Sequence, residues 1–330
     1  MQRSLKPLVA IAFLLSASIA GILAQAQDAA RAPGTERLPA IDMALAAATQ
    51  TQWAEAAGTP NPVTGEPAPA TAEEHMRGSL AMMRRYNVVV AVVGGSIEGI
   101  EMWRRAAPER VLPALGLSQP GFGSFQEPLP NLDALRVMFR DGTLQAMSEI
   151  GAQYEGLSAS DPAYEPYFAL AEELDVPVGI HTGTSFPGTA ARSPRFRVAL
   201  GNPILLEDLL VRHPALRVNM VHGGAPWTRE AIAVMQQYPQ VYMDLSPLWL
   251  AWPESRAFDE ELRDLFEAGV GDRVMFATDQ MLWPEAIGMA IETIESNEYL
   301  SAEQKRDVLY HNAARFLRLG EEEIARHHGR

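Results

Sequence analysis

Cysteine is absent from the 330 residues, so no disulfide braces the fold. Stability must come from an apolar core, which a chain of this size can supply. Positive charge is scarce: 27 Lys and Arg stand against 41 Asp and Glu, a net charge of −14. An acidic surface argues against nucleic acid and anionic membranes as partners. Beyond the first 26 residues there is no apolar run long enough to cross a bilayer. Also missing is the G-x-G-x-x-G phosphate-binding fingerprint. Gly94 and Gly95 follow an apolar run without that spacing and read as a tight turn.

What is present begins with a leader. Arg3 and Lys6 precede the apolar stretch Leu8 to Leu23, and Ala24-Gln25-Ala26 follows. This is the n-region, h-region and A-x-A order of a signal peptide over residues 1–26, and it implies a periplasmic or secreted protein. A membrane anchor is the other reading, opposed by Pro7 and the small residues of the run; no cysteine follows for lipid attachment. Loss of the leader leaves 25 Lys and Arg against 41 Asp and Glu, a net charge of about −16. Residues 27–38 are small and polar and read as a linker, with one domain over 39–330. Thr49 to Pro69 is rich in Gly and Pro and longer than an ordinary connection, which suits a loop over an active-site mouth.

Within the domain, short apolar runs alternate with amphipathic stretches. Candidate strands are Leu38–Leu45, Asn87–Val93, Val111–Leu115, Ala146–Ile150, Val176–His181, Leu216–His222, Val241–Leu245 and Val274–Thr278. Candidate helices include Ala72–Arg85, Ala163–Leu174, Pro203–Arg212, Thr228–Tyr238, Phe258–Ala268 and Pro284–Ser296. Buried strands separated by helical stripes indicate βαβ units and a parallel sheet. About eight units over roughly 250 residues is the size of a TIM (β/α)8 barrel, here with C-terminal helices. A doubly wound open sheet is the alternative.

Three of the runs end in a metal-ligating residue: VPVGIH in His181, VNMVH in His222 and VMFATD in Asp279. In a closed barrel such ends converge at the mouth, where imidazole and carboxylate groups can hold zinc or manganese. A metal with an open position activates water, and a nearby carboxylate or imidazole accepts the proton. Asp279 also suits a helix N-cap. Glu149 in MSEIG fits a metal contact, a substrate contact or a salt-bridged residue inside the barrel. Arg192, Arg195 and Arg197 follow the fifth strand, where a guanidinium can hold a substrate carboxylate. Trp227, Trp249, Trp252 and Trp283 follow other strands, either lining a pocket or packing loops on the barrel. His75 on a surface helix and His213 at a helix end read as structural, His311 as an opening of the terminal helix, and His327 and His328 as solvent-exposed.

These motifs, from IDMALAA through SEIG, DVPVGIHTG, LRVNMVHGGAPW, VYMDLS and RVMFATDQMLWPEAIG to VLYHNAARFL, resemble the amidohydrolase superfamily. The branch is the one containing aminocarboxymuconate-semialdehyde decarboxylase-like proteins, and the likeness spans Pro39 to about Leu319. It implies a TIM barrel with one divalent metal that hydrolyses amide, ester or lactone bonds or removes carboxylate groups from small organic acids. By resemblance His181 is the fifth-strand metal ligand, His222 a catalytic or substrate-orienting group, and Asp279 the eighth-strand ligand and proton acceptor. The resemblance also implies a homodimer as one assembly state, with Tyr154, Trp249 and Trp252 as candidate contacts.

The chain departs from this pattern in one place. The family's first strand ends in His-x-His after an Ile-Asp pair, whereas Ile41-Asp42 here leads to Met43-Ala44-Leu45-Ala46. Both donor positions are alanine. Asp42 lies deeper on the same face as Ala44 and does not replace them. The expectation is therefore a metal-dependent hydrolase using His181, Asp279 and Glu149, against a carboxy-lyase or a pseudoenzyme that binds a small acid.

Overall fold

Valine-rich strands buried on both faces build the centre of the protein. The computed structural model describes residues 37–116, 131–246 and 256–329. The leader, most of the linker, Trp249 and Trp252 lie outside the described residues. Eight strands follow in chain order: β1 Ala40–Ala47, β2 Val88–Gly95, β3 Val111–Gly116, β4 Ala146–Ile150, β5 Val178–His181, β6 Val218–Val221, β7 Val241–Asp244 and β8 Val274–Met275. They pair in parallel in the order β1 to β8. Met43 N donates to Phe276 O at 3.1 Å and Ala46 N to Gln280 O at 3.3 Å, closing the last segment onto the first. The result is a TIM barrel, as the alternating pattern predicts.

Helices cover the outside of the strands, burying Leu80, Met83, Trp103, Phe168, Leu209, Val234, Leu262 and Ile291. Ala72–Arg85 has the predicted bounds, because Thr71 accepts from Glu74 N and fixes the first turn. The predicted Pro203–Arg212 helix is two pieces, a 3-10 turn over Pro203–Leu206 and an α-helix over Glu207–Arg212. Asn202 caps the turn and Pro203 opens it. The interior is filled by Ile41, Met43, Val90, Val92, Ala114, Met275 and Ala277, with Tyr310 and Phe316 packed among them. Those two come from the C-terminal segment, which plugs the end where the strands begin. Asn312 Nδ2 donates to Gly271 O at 3.0 Å and Val274 O at 2.7 Å, and Arg217 donates to Phe316 O. The C-terminal ends of the strands lie at the opposite end, with His181 and His222 buried there. No helix of the described residues is long and apolar enough to cross a membrane.

The structure corrects several expectations. Gly94 and Gly95 are the end of β2 rather than a turn. A Cβ on Gly95 would stand 2.2 Å from Ala47 O, so the close approach of β1 demands glycine there. His75 faces inward: it is buried, stacks on Trp53 at 4.3 Å, and its Nε2 meets the side-chain amide of Gln280. The loop Thr49–Pro69 includes a helical turn, Gln50–Trp53, whose Trp53 is fully buried. His327 and His328 are half-buried against Tyr310, and His327 Nδ1 lies 2.9 Å from its hydroxyl. His213 has the structural role expected, bridging Glu172 at 2.8 Å and Glu165 at 2.9 Å. The register of β1 shifts between Asp42 and Leu45, which interrupts the alternation that would put Asp42 and Ala44 on one face. Asp42 is tied to β8 instead, accepting from Thr278 N at 3.0 Å and Thr278 Oγ1 at 2.7 Å.

Candidate metal centre

Three neighbouring strands supply the cluster at the mouth. Glu149 sits near the end of β4, His181 ends β5 and His222 directly follows β6. Strand register alone does not level them. Between Met147 and Ile150, β4 spends one more residue than β5 spends between Val178 and Ile180, so Glu149 lies on a bulge. Glu149 has φ +49°, His222 +68° and Asp279 +47°, three of the six non-glycine residues with positive φ among the described residues. Left-handed backbone at such residues costs about 1 kcal/mol or more each, and it turns side chains that a regular strand would aim elsewhere.

One atom of each of Glu149, His181 and His222 lies within 4.8 Å of the other two, the one group of three such donors among the described residues. Glu149 Oε1 is 2.9 Å from His181 Nδ1 and 3.3 Å from His222 Nε2. The opposite nitrogens face carbonyl oxygens, His222 Nδ1 at 2.7 Å from Ser246 O and His181 Nε2 at 3.2 Å from Thr184 O. In the metal-free cluster a hydrogen on an inner nitrogen donates to the Glu149 carboxylate. With the hydrogens on the outer nitrogens, held by the two carbonyls, both inner nitrogens would turn lone pairs toward one point, which a metal ion could fill. A carboxylate and two imidazoles, with their outer N–H groups held by carbonyls, form a donor set that suits zinc or manganese.

The charges agree with this geometry. Burial alone would raise the Glu149 carboxyl, but hydrogen bonds from His181 and His222 outweigh it and bring it down to about 2. Burial opposes charge on His222 too, yet Glu149, Asp279 and Asp244 push it up to about 10. His181 is lowered, first by burial and then by the His222 charge. The metal-free cluster thus holds its extra proton on His222.

Asp279 stands beside this group and outside it. Its carboxylate makes no hydrogen bond with the described residues. Burial holds its carboxyl well above the usual range, and the charges of Glu149, Asp244 and Asp42 add to that against His222. A carboxylate with a raised proton affinity and no committed partner is suited to accepting a proton. The three donors that converge are Glu149, His181 and His222, so His222 joins the expected ligands His181 and Glu149 as a candidate, and Asp279, expected as a ligand and proton acceptor, lies next to them. Ala44 and Ala46 bring no donor atom.

Tyr154, offered above as a dimer contact, belongs to the site. Its hydroxyl lies 3.0 Å from Ser185 Oγ and 3.4 Å from His181 Nε2, and its ring meets the His181 ring at 4.8 Å. Burial first, then the Glu149 charge, raises the phenol, so it keeps its proton. A tyrosine five residues beyond Glu149 was a signal available in the sequence. Arg192 is exposed, forms no hydrogen bond or ion pair with the described residues, and its charge reaches the Tyr154 hydroxyl. Arg195 pairs with Glu155, and Arg197 donates to Pro194 O and Phe196 O, so both are committed. Trp283 donates to Thr59 O at 2.9 Å and packs the long loop on the barrel. Trp227 is half-buried, and its indole forms no hydrogen bond or ring stack with the three donors.

A family model described as amidohydrolase matches residues 11–319. A curated relative, protein fluG of Emericella nidulans, is 24% identical over 169 residues; the match covers 47% of this chain and 19% of that protein. The chain therefore spans about a fifth of that relative's length. Among solved structures, an uncharacterized TIM-barrel protein from Bordetella bronchiseptica is 17% identical, with a TM-score of 0.60 over 89% of this chain and 100% of the other. A probable 2-pyrone-4,6-dicarboxylic acid hydrolase from Acinetobacter baumannii with citric acid bound is 11% identical, with a TM-score of 0.58 over 86% and 100%. A 5-carboxyvanillate decarboxylase from Novosphingobium aromaticivorans, with manganese and a nitrobenzoic acid bound, is 14% identical, with a TM-score of 0.58 over 86% and 97%. Likeness at these identities concerns the fold.

Proposed function

The chain belongs to the amidohydrolase family, and from that premise we propose that it is a metal-dependent hydrolase cleaving an amide, ester or lactone bond of a small organic acid. Glu149, His181 and His222 would hold the metal, Asp279 would accept the proton, and Arg192 with Tyr154 would orient the acid. The observation that carries this reading is the convergence of two imidazole nitrogens, one from His181 and one from His222, on a single Glu149 carboxylate oxygen. Divalent zinc or manganese bound there supplies Lewis acidity and brings the pKa of a water to about 7. Asp279, with its raised carboxyl and unpaired oxygens, takes up the proton released and can return it to the leaving group. Tyr154 stays neutral and offers a hydroxyl at the rim. The exposed guanidinium of Arg192 suits a carboxylate distal to the scissile bond.

Carboxy-lyase chemistry is the second reading, favoured by the similarity to a 5-carboxyvanillate decarboxylase. A barrel that binds a small acid without turnover is the third. Residues 1–26 make the periplasm or the exterior the destination in this proposal. The test is the metal content of purified protein by mass spectrometry, followed by ester, lactone and unsaturated-acid substrates with carbon dioxide monitored. About one zinc or manganese per chain, lost in Glu149→Gln, with hydrolysis and no carbon dioxide, is the expected result. Carbon dioxide release would transfer the chain to the second reading, and no metal even after addition would leave the third.

A further inference from the structure

We propose that Asp244, the last residue of β7, is the positioning residue that fixes which nitrogen of His222 faces Glu149. The proposal rests on the reading of His222 as a metal donor. Asp244 is fully buried. Its Oδ1 accepts from Ser246 N at 3.1 Å, Ser246 Oγ at 2.6 Å and His222 N at 3.3 Å, while Oδ2 accepts from Asn219 Nδ2 at 2.6 Å. One carboxylate thus gathers Asn219 of β6, the turn after β6 and the second residue beyond β7.

Two of those contacts bracket the imidazole. The bond from His222 N holds the left-handed backbone from which the side chain departs. The bonds from Ser246 hold the residue whose carbonyl oxygen lies 2.7 Å from His222 Nδ1. Asp244 therefore sets the separation between the root of the imidazole and the carbonyl that takes its outer hydrogen. With Nδ1–H committed to Ser246 O, Nε2 is the nitrogen left for Glu149 and for a metal. An amide at position 244 reproduces this only weakly. Its NH2 group needs Asn219 to flip so that Asn219 Oδ1 accepts, and its neutral oxygen takes the bonds from Ser246 and His222 N without the charge that strengthens them. The bracket would loosen. Orienting partners of this kind typically change metal affinity by about 10–100-fold.

The experiment compares wild type, Asp244→Asn and Ser246→Ala by two measurements: the His222 Nδ1–H resonance in 15N-edited NMR of the metal-free protein, and the dissociation constant for added zinc. Wild type should show a downfield, slowly exchanging Nδ1–H signal. Asp244→Asn should lose or broaden it and bind zinc about 10–100-fold more weakly. Ser246→Ala retains the backbone N–H bond and should shift both readouts in the same direction by less, which keeps the test open if Asp244→Asn does not fold. A folded Asp244→Asn protein with lower thermal stability, an unchanged His222 signal and wild-type zinc affinity would overturn the proposal, because Asp244 would then only hold the barrel together. Loss of the signal in a protein whose wild type takes up no zinc would support the positioning role and refute the metal reading.

Discussion

Replacing Glu261 with glutamine should raise stability, and by more as the pH rises. Glu261 lies on the helix Arg256–Glu267 with 6% of its surface exposed, and its Oε1 is buried without a hydrogen-bond partner. That oxygen faces the turn beside His222, since a Cβ on Gly223 would come within 3.3 Å of it. Burial, with a smaller push from Asp264, takes the carboxyl up to about 8 against an ordinary 4.5. The folded state keeps a proton that the unfolded chain gives up at lower pH. Stability from this group is therefore complete below about 4.5 and is lost as pH rises toward about 8. Each pH unit within that interval is worth ~1.4 kcal/mol, or ~4 kcal/mol between pH 5 and pH 8. At ~2 °C per kcal/mol for a chain of this size, the melting temperature of Glu261→Gln relative to wild type should climb by about 8 °C over that range. Glutamine mimics the neutral acid and has no proton to lose. Melts of both proteins at pH 5, 6, 7 and 8 with the same chelator present would measure it, and the difference between them cancels every other titrating group. A difference that stays flat within about 1 °C would mean that Glu261 is ionised in the folded protein and would refute the reasoning.

Glu149→Gln should abolish metal retention after dialysis while the barrel still melts cooperatively, because the amide keeps the volume and loses the charge; metal analysis with circular dichroism checks both. Arg192→Ala should raise KM for an acid substrate by about 10–100-fold, the worth of a charge-assisted hydrogen bond, with kcat little changed. A neutral ester should be unaffected, and an equal loss on both substrates would remove Arg192 from recognition of the acid. Gly95→Ala would bring a methyl group to 2.2 Å from Ala47 O and should destabilise by ~1–3 kcal/mol or more, read as a lower denaturation midpoint.

The barrel was legible in the sequence because its signal is local. Each strand is a β-branched run with both faces buried, and each helix repeats its apolar positions every three or four residues, so order and approximate bounds follow from the chain alone. Strand ends were harder. The run Leu216–His222 continues in apolar character, but hydrogen bonding stops at Val221, and His222 turns into a left-handed conformation that no pattern announces. The site shares this difficulty. His181 and His222 stood out as polar ends of apolar runs, whereas Asp244 in VYMDLS has the same form and was passed over, because its role is to bond its neighbours. Tyr154 is separated from His181 by a whole βα unit, and only the closed barrel brings the two rings together.

The two alanines of the first strand explain how the cluster can exist without that strand's donors. Neighbouring parallel strands lie about 4.8 Å apart, so side chains at one level on adjacent strands meet without help from across the barrel. β4, β5 and β6 are such neighbours. The bulge at Glu149 and the left-handed turn at His222 remove what remains of the register difference, bringing both to His181. A centre built there needs nothing from β1. On β1, the register shift between Asp42 and Leu45 carries Met43 and Ala44, whose side chains pack into the barrel interior and bring no metal donor. Asp42, the polar residue of that bend, is spent on Thr278, holding β1 to the segment that carries Asp279. The first strand thus serves the site indirectly. It steadies the segment that carries Asp279 and leaves the converging donors to β4, β5 and β6. Adding histidine at positions 44 and 46 should leave zinc retention dependent on Glu149, so that Glu149→Gln still abolishes it, whereas zinc kept by the double-histidine protein in the Glu149→Gln background would mean that the first strand still frames the metal.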